Sequence, residues 1–446
     1  MTDFTQLSTI QLAAAMGRGD IKAADVVDAF LKRITEREPE VKAWAHLDAD
    51  GARAQAKQCD QIVAMRRPTG PLHGVPVGIK DIIDTETMPT EHGSALFKGS
   101  RPEADAVVVQ RLRRAGAIVM GKTVTTQLAT LVPAETRNPI NTAHTPGGSS
   151  SGSAAAVADG MVPLALATQT GGSIIRPASF CGIYAIKPTF GLVPRTGVLS
   201  QSPSLDTVGV YGRSVEDLAL ALDVISGPDS GDPSATDNQT PNFLATATQE
   251  WAVPPSFVFV KTPAWDKADQ VTRDAFEELV GSLGGQIEEV SINFSIEKGL
   301  DAQAIINEVE AASRYGGWYK KSPEAFGKEL ADQIERGFAH RAAAYFEARE
   351  VRETLYRGMG EIFMSYNAIL TPSALGPAPK GLGATGNPIM NRYWTFLGTP
   401  AVTLPLLADE NGMPMGVQLV GQRRDDGRLL RTARLLVKQL SEEAGA

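Results

Sequence analysis

Pro146-Gly-Gly-Ser-Ser-Ser-Gly-Ser153 is followed by Thr168-Gln-Thr-Gly-Gly-Ser-Ile-Ile-Arg-Pro177. The two Gly-Gly-Ser steps set Ser149 and Ser173 24 residues apart, each hydroxyl beside backbone too small to shield it. Upstream, the apolar run Val75-Pro-Val-Gly-Ile79 ends at Lys80. Two serines in glycine-rich turns and a lysine in apolar surroundings point to acyl transfer with no histidine base. Free lysine has a pKa of about 10.4, so only about one molecule in a few thousand is neutral near pH 7. Burial disfavours the charged form and lowers that value. Asp81 and Asp84 would oppose the effect if they faced the amine, but strand alternation turns Asp81 to the other side.

Strand and helix patterns alternate around this stretch. Ala23, Val26, Val27, Phe30, Leu31 and Ile34 fall on one helical face, with Asp20 placed to cap its start. Strands are predicted at residues 75–80, 117–120, 164–168, 257–260, 286–290 and 416–420. Helices are predicted at 107–115, 153–160, from Ser214 (with Asp217 as capping partner) to Gly227-Pro228, and at 429–440. This alternation argues for an α/β architecture. Residues 226–242 are polar and rich in Pro and Gly, and read as a surface loop or a boundary. The late strand reads as part of the same core, so one domain over residues 1–446 is expected. Its catalytic core lies at about 65–225, and a charged, variable helical region at about 245–365.

Two familiar patterns fail on context. Gly116-Ala-Ile-Val-Met-Gly-Lys-Thr123 fits a phosphate loop, yet its interior is strand-like and a helical pattern precedes it. Gly148-Ser-Ser-Ser-Gly152 fits a nucleophile elbow, yet Asn141-Thr-Ala-His-Thr-Pro146 leads in where a buried strand is needed. Only His340 follows it. His46, His73, His92 and His144 show no metal-ligand spacing, so neither a metal nor a cofactor is expected.

The net charge of −8 offers no electrostatic footprint for nucleic acid. Cys59 and Cys181 are too few for a disulfide framework, and Met1-Thr-Asp-Phe4 lacks a basic and an apolar leader segment. A cytoplasmic protein is therefore expected. No apolar run reaches the length of about 18 residues that a membrane helix needs.

The motifs resemble the amidase signature family. Gly78-Ile-Lys-Asp81 is similar to its lysine strand, and the two Gly-Gly-Ser segments to its serine core. Phe180-Cys-Gly-Ile-Tyr-Ala-Ile-Lys-Pro-Thr189, Gly398-Thr-Pro-Ala-Val-Thr-Leu-Pro405 and Met413-Pro-Met-Gly-Val-Gln-Leu419 resemble further blocks. The resemblance implies a large twisted mixed β-sheet covered by α-helices on both faces. It implies Ser173 as nucleophile, Ser149 after a cis peptide as proton relay, and Lys80 as base. The backbone N–H groups of Thr170, Gly171, Gly172 and Ser173 would form the oxyanion hole. Ser151 is either a hydrogen-bond partner of Lys80 or Ser149, or a helix cap.

Most of the family carries Asp four residues before the nucleophile and Arg two residues after it. Here Gln169 and Ile175 stand at those positions, and arginine follows one step later as Arg176. That variant resembles the malonamidase-type branch. It implies that Arg176 either binds a substrate carboxylate or pairs elsewhere in the protein. Gln169 and Thr130 are expected beside the substrate. The implied activity is hydrolysis of small amides, extending to aryl amides, esters and carbamates. The implied partner is a small-molecule amide or carbamate, with no nucleic acid and no membrane, and with a homodimer left open. The alternative is the amide-transferring subunit of a tRNA-dependent amidotransferase, which shares this core.

Overall fold

The apolar run that ends at Lys80 is one strand of an 11-stranded sheet. In chain order the strands are β1 (Trp44–Leu47), β2 (Pro76–Lys80), β3 (Ile118–Thr123), β4 (Leu164–Gln169), β5 (Tyr184–Lys187) and β6 (Thr207–Gly212). They continue with β7 (Phe257–Val260), β8 (Ile287–Val290), β9 (Ala368–Pro372), β10 (Ala401–Ala408) and β11 (Pro414–Val420). Their spatial order is β1-β3-β2-β4-β6-β5-β10-β11-β9-β7-β8. β2 runs parallel to both β3 and β4, and β7 runs parallel to β8 and β9. The remaining pairs are antiparallel, so the sheet is mixed. The computed structural model describes residues 3–236, 242–251 and 253–445.

Every residue of β2, β3, β4 and β6 is buried, so helices and loops cover both faces of the sheet there. Burial of Val77 and Ile79 contributes roughly 1.5–3 kcal/mol each. The helix Ser151–Ala158 packs against β2, β3, β4 and β6. Its composition, Ser-Gly-Ser-Ala-Ala-Ala-Val-Ala, sets how closely it sits. A Cβ at Gly152 would lie 2.2 Å from Ala43 O and 2.3 Å from Val124 N. Only a residue without a side chain permits that approach.

Several expectations need correction. The helix Ala23–Val41 buries the predicted face, but Asp20 does not cap it. The Asp60 carboxylate accepts from Ala23 N at 2.7 Å and Ala24 N at 3.2 Å, while Asp20 accepts from Arg18. Asp60 comes from the helix Ala49–Ala64, so a tertiary contact replaces the local cap. Ser214 caps Val215–Ile225 by accepting from Asp217 N. The Asp217 carboxylate takes the N–H groups of Arg213 and Ile10 instead of that of Ser214. β1, β5, β6, β9 and β10 are strands that the patterns do not mark. In the polar stretch 226–242, residues 237–241 lie outside the described residues.

The phosphate-loop pattern is absorbed by β3. Lys122 is buried, and its Nζ lies 2.5 Å from Thr90 Oγ1 and 3.3 Å from Asp81 Oδ1. Both cysteines are free and buried. Among the described residues no helix is long and apolar enough to cross a membrane.

Candidate active site

The parallel register of β2 with β4 brings the carboxyl ends of both strands together, and the serine loop closes over them. Lys80 is fully buried. Its Nζ donates to Ser149 Oγ at 2.8 Å and to Thr168 Oγ1 at 2.8 Å. Burial holds its pKa well below the ordinary lysine value, and the charge of Asp206 opposes that only in part. Asp81 faces Lys122, as strand alternation requires. Gly148–Ser149 is a cis peptide, and Ser149 is buried.

Ser173, Gly172, Gly171 and Thr170 line a cavity of about 630 Å³, together with Thr130 and Arg176. Ser173 is half-buried, and its carbonyl accepts from Tyr211 Oη at 3.2 Å. Thr170 Oγ1 donates to Asp206 Oδ1 at 2.6 Å. Asp206 Oδ2 accepts the N–H groups of Gln201 and Ser202 at 2.9 and 2.8 Å. Burial raises the Asp206 carboxyl to about 6, against the pull of those hydrogen bonds. Thr130 donates its hydroxyl to Gln127 O at 2.7 Å. It follows Leu128 and Ala129, whose φ values of 48° and 59° lie in the left-handed region. Side chains seldom occupy that region outside sites where the surroundings enforce it. Tyr315 Oη donating to Leu128 O at 3.1 Å and Gln127 Nε2 donating to Ala325 O at 2.7 Å hold the loop there.

Gln169 does not face the cavity, contrary to expectation. Its Oε1 accepts from Ile174 N at 2.8 Å and Ile175 N at 3.0 Å, and its Nε2 donates to Thr395 Oγ1 at 2.9 Å. The neutral amide therefore fastens the Ser173 loop from inside. Ser151 is also reassigned. Its Oγ reaches Val124 O at 3.4 Å as the first residue of its helix, and bonds neither Lys80 nor Ser149.

Arg176 is buried. Nε donates to Thr385 O at 2.8 Å, and Nη2 donates to Gly148 O at 2.6 Å and Thr385 Oγ1 at 3.3 Å. Nη1 has no partner, and no carboxylate among the described residues pairs with this guanidinium. Burial lowers its pKa to about 10. Sequence reasoning misses Thr168, Asp206, Thr385 and Thr395. For Thr168 a signal exists, since it lies near the end of the strand beside Lys80. The other three reach the site from remote stretches of chain.

Gly172 is the tightest point of the loop. A Cβ there would lie 2.5 Å from Asn391 Oδ1, 2.9 Å from Pro388 Cβ and 3.1 Å from Arg176 Nη1. Gly172→Ala is expected to lower kcat/KM for amide hydrolysis by at least about 10-fold, and to destabilise the protein by about 1–3 kcal/mol. Steady-state kinetics and thermal melting check this, and a variant with wild-type values for both would refute it.

A protein-family model described as Amidase matches residues 25–430. A curated relative, the A subunit of glutamyl-tRNA(Gln) amidotransferase from Bacillus velezensis, is 34% identical over 472 residues, covering 95% of each chain. Among solved structures, one of a vestigial protein complex that reveals the evolutionary origins of an s-triazine catabolic enzyme superposes with a TM-score of 0.91. It shows 29% identity and covers 97% of this chain and 98% of its own. A solved amidase gives a TM-score of 0.85 at 27% identity, covering 97% and 100%.

These relatives overturn the expected partners. A small-molecule amide or carbamate with no nucleic acid does not match relatives named as the A subunit of glutamyl-tRNA(Gln) amidotransferase. The physical reason is that the net charge of one chain does not report what an assembly contacts. The mixed sheet, the match over residues 25–430 and the full-length relatives establish that the chain belongs to the amidase signature family.

Proposed function

We propose that the chain cleaves the C–N bond of a carboxamide through an acyl-enzyme on Ser173, as the amide-cleaving component of an amidotransferase. The observation that carries the chemistry is Lys80, fully buried and hydrogen-bonded at 2.8 Å to Ser149 Oγ. A lysine in such surroundings favours the neutral amine, which has a lone pair for a proton. Ser173 Oγ attacks the carbonyl carbon and passes its proton to Ser149, which passes its own to Lys80. Backbone N–H groups of the Thr170–Ser173 turn stabilise the oxyanion. As the C–N bond breaks, the relay returns the proton to the leaving nitrogen and ammonia departs. Water then cleaves the ester on Ser173 by the same relay, and a carboxylic acid leaves.

The place in an amidotransferase rests on the names of the curated relatives. The unpaired Nη1 of Arg176 beside the cavity favours an amide that also carries a carboxylate, which glutamine and malonamate share. The test is an ammonia-release panel of glutamine, malonamate and neutral aliphatic amides, with product release followed for acetanilides, aryl carbamates and p-nitrophenyl esters. Arg176→Ala is expected to raise KM for the carboxylate-bearing amides by about 10-fold or more beyond the change for neutral ones, which reports the lost bonds to Gly148 and Thr385. Equal change for both classes refutes the carboxylate role. Co-purification of partner proteins and ATP-dependent amidation of glutamyl-tRNA test the assembly.

A further inference from the structure

A second cavity of about 520 Å³ opens beside residues 203–204 and the helices Asn293–Lys321 and Ala342–Gly358. It shares no lining residue with the catalytic cavity. Three guanidinium groups belong to its lining: Arg314, Arg349 and Arg352. Arg314 and Arg349 are exposed and make no hydrogen bond or ion pair with the described residues. Arg349 only overlies the Tyr345 ring, 5.8 Å from its centroid. Arg352 donates from Nη1 to Ser204 O at 2.8 Å, while its Nε is buried with no hydrogen-bond partner. The Glu353 carboxylate, 4.0 Å from that Nε, is already held by Arg423 at 2.8 and 3.1 Å.

One carboxylate, Glu310, stands in the wall, and its oxygens are occupied. Ser202 Oγ, Ser204 N, Ser204 Oγ and Tyr345 Oη donate to it at 2.5, 3.0, 2.5 and 2.6 Å. Ser234 accepts from Arg195 at 2.9 Å, which leaves its own proton to donate. The lining thus has three positive charges against one spent negative charge, an orphaned buried N–H and a free hydroxyl donor. An uncharged or cationic ligand would leave that excess uncompensated. A compact oxyanion would satisfy it, because planar guanidinium groups present paired donors to tetrahedral or planar oxygen sets. We propose that this cavity is an anion site that takes a phosphoryl group.

The phosphoryl group has two sources, a free anion or the terminus of a nucleic acid. Inorganic phosphate titrated calorimetrically into the full chain is expected to bind at one site, more weakly as KCl rises. Arg314→Gln combined with Arg349→Gln is expected to weaken binding at least 10-fold. The double variant should melt near the wild-type temperature without phosphate, since neither side chain makes a hydrogen bond or ion pair with the described residues and Arg349 only overlies the Tyr345 ring. Arg53→Gln, remote from the cavity, should bind as wild type does. Competition by a 5′-phosphorylated oligonucleotide, and not by its dephosphorylated form, would assign the site to a nucleic-acid end. Phosphate binding without such competition would assign it to a free anion. No binding by the wild-type chain, or equal binding by the double variant, overturns the proposal.

Discussion

Ser173→Ala is expected to lower kcat for amide hydrolysis by a factor on the order of 10⁴–10⁶, because the nucleophile and its relay act as a unit. Residual rate would come from the oxyanion donors and substrate positioning alone. The position permits the change. Ser173 is half-buried in the cavity wall, and its backbone carbonyl, which accepts from Tyr211, survives the substitution. Wild-type protein quenched during turnover of a p-nitrophenyl ester should carry an acyl group on the peptide containing Ser173, and the alanine variant should not. An acyl adduct elsewhere, or a variant within a few-fold of wild type, would remove Ser173 from the nucleophile's place.

Lys80→Met should lower the rate by a factor on the order of 10²–10⁴, the usual contribution of a positioned base. The wild-type rate should rise as pH increases through the lowered lysine pKa, and the methionine variant should lose that limb. Stability has a defined sign. In the unfolded chain the lysine keeps its proton up to about pH 10.4, whereas burial strips it from the folded chain at lower pH. Between the two values the unfolded state holds more protons, so this group's contribution to stability grows with pH and falls on acidification. Methionine fills a similar volume and carries no charge into a fully buried position. The variant should therefore melt at or above the wild-type temperature on the acid side, while hydrolysis is lost. A variant that melts lower and stays active would contradict both parts.

The stretch of chain around the serines is legible because its information is local. Glycine next to serine marks backbone that must turn tightly, and the apolar run before Lys80 marks a buried strand. β5 and β6 escape the patterns because Tyr184-Ala-Ile-Lys187 holds a single β-branched residue and glycine interrupts Thr207-Val-Gly-Val-Tyr-Gly212. Adjacency singles out Asp20 as a cap, whereas the carboxylate used, Asp60, lies on another helix. At Gln169 the departure from the family pattern suggests a place beside the substrate. Its amide instead meets the N–H groups of Ile174 and Ile175, a contact that its position before the loop allows but does not announce. Arg176 meets Thr385, 209 residues away, and no local pattern reports such a distance.

The cavity wall is divided by origin. Thr170 to Ser173 arise from the turn after β4, while Gln303, Asn307 and Glu308 come from the helix Asn293–Lys321, and Glu329, Gln333 and Arg336 from Lys328–Ala339. The wall thus draws on separate stretches of chain, the serine turn on one and two helices on the other. Exchanging residues 293–339 between relatives is expected to change the polar groups that meet a bound molecule while Thr170–Ser173 and Arg176 stay in place. One scaffold can in this way radiate into enzymes that share a chemistry and differ in diet.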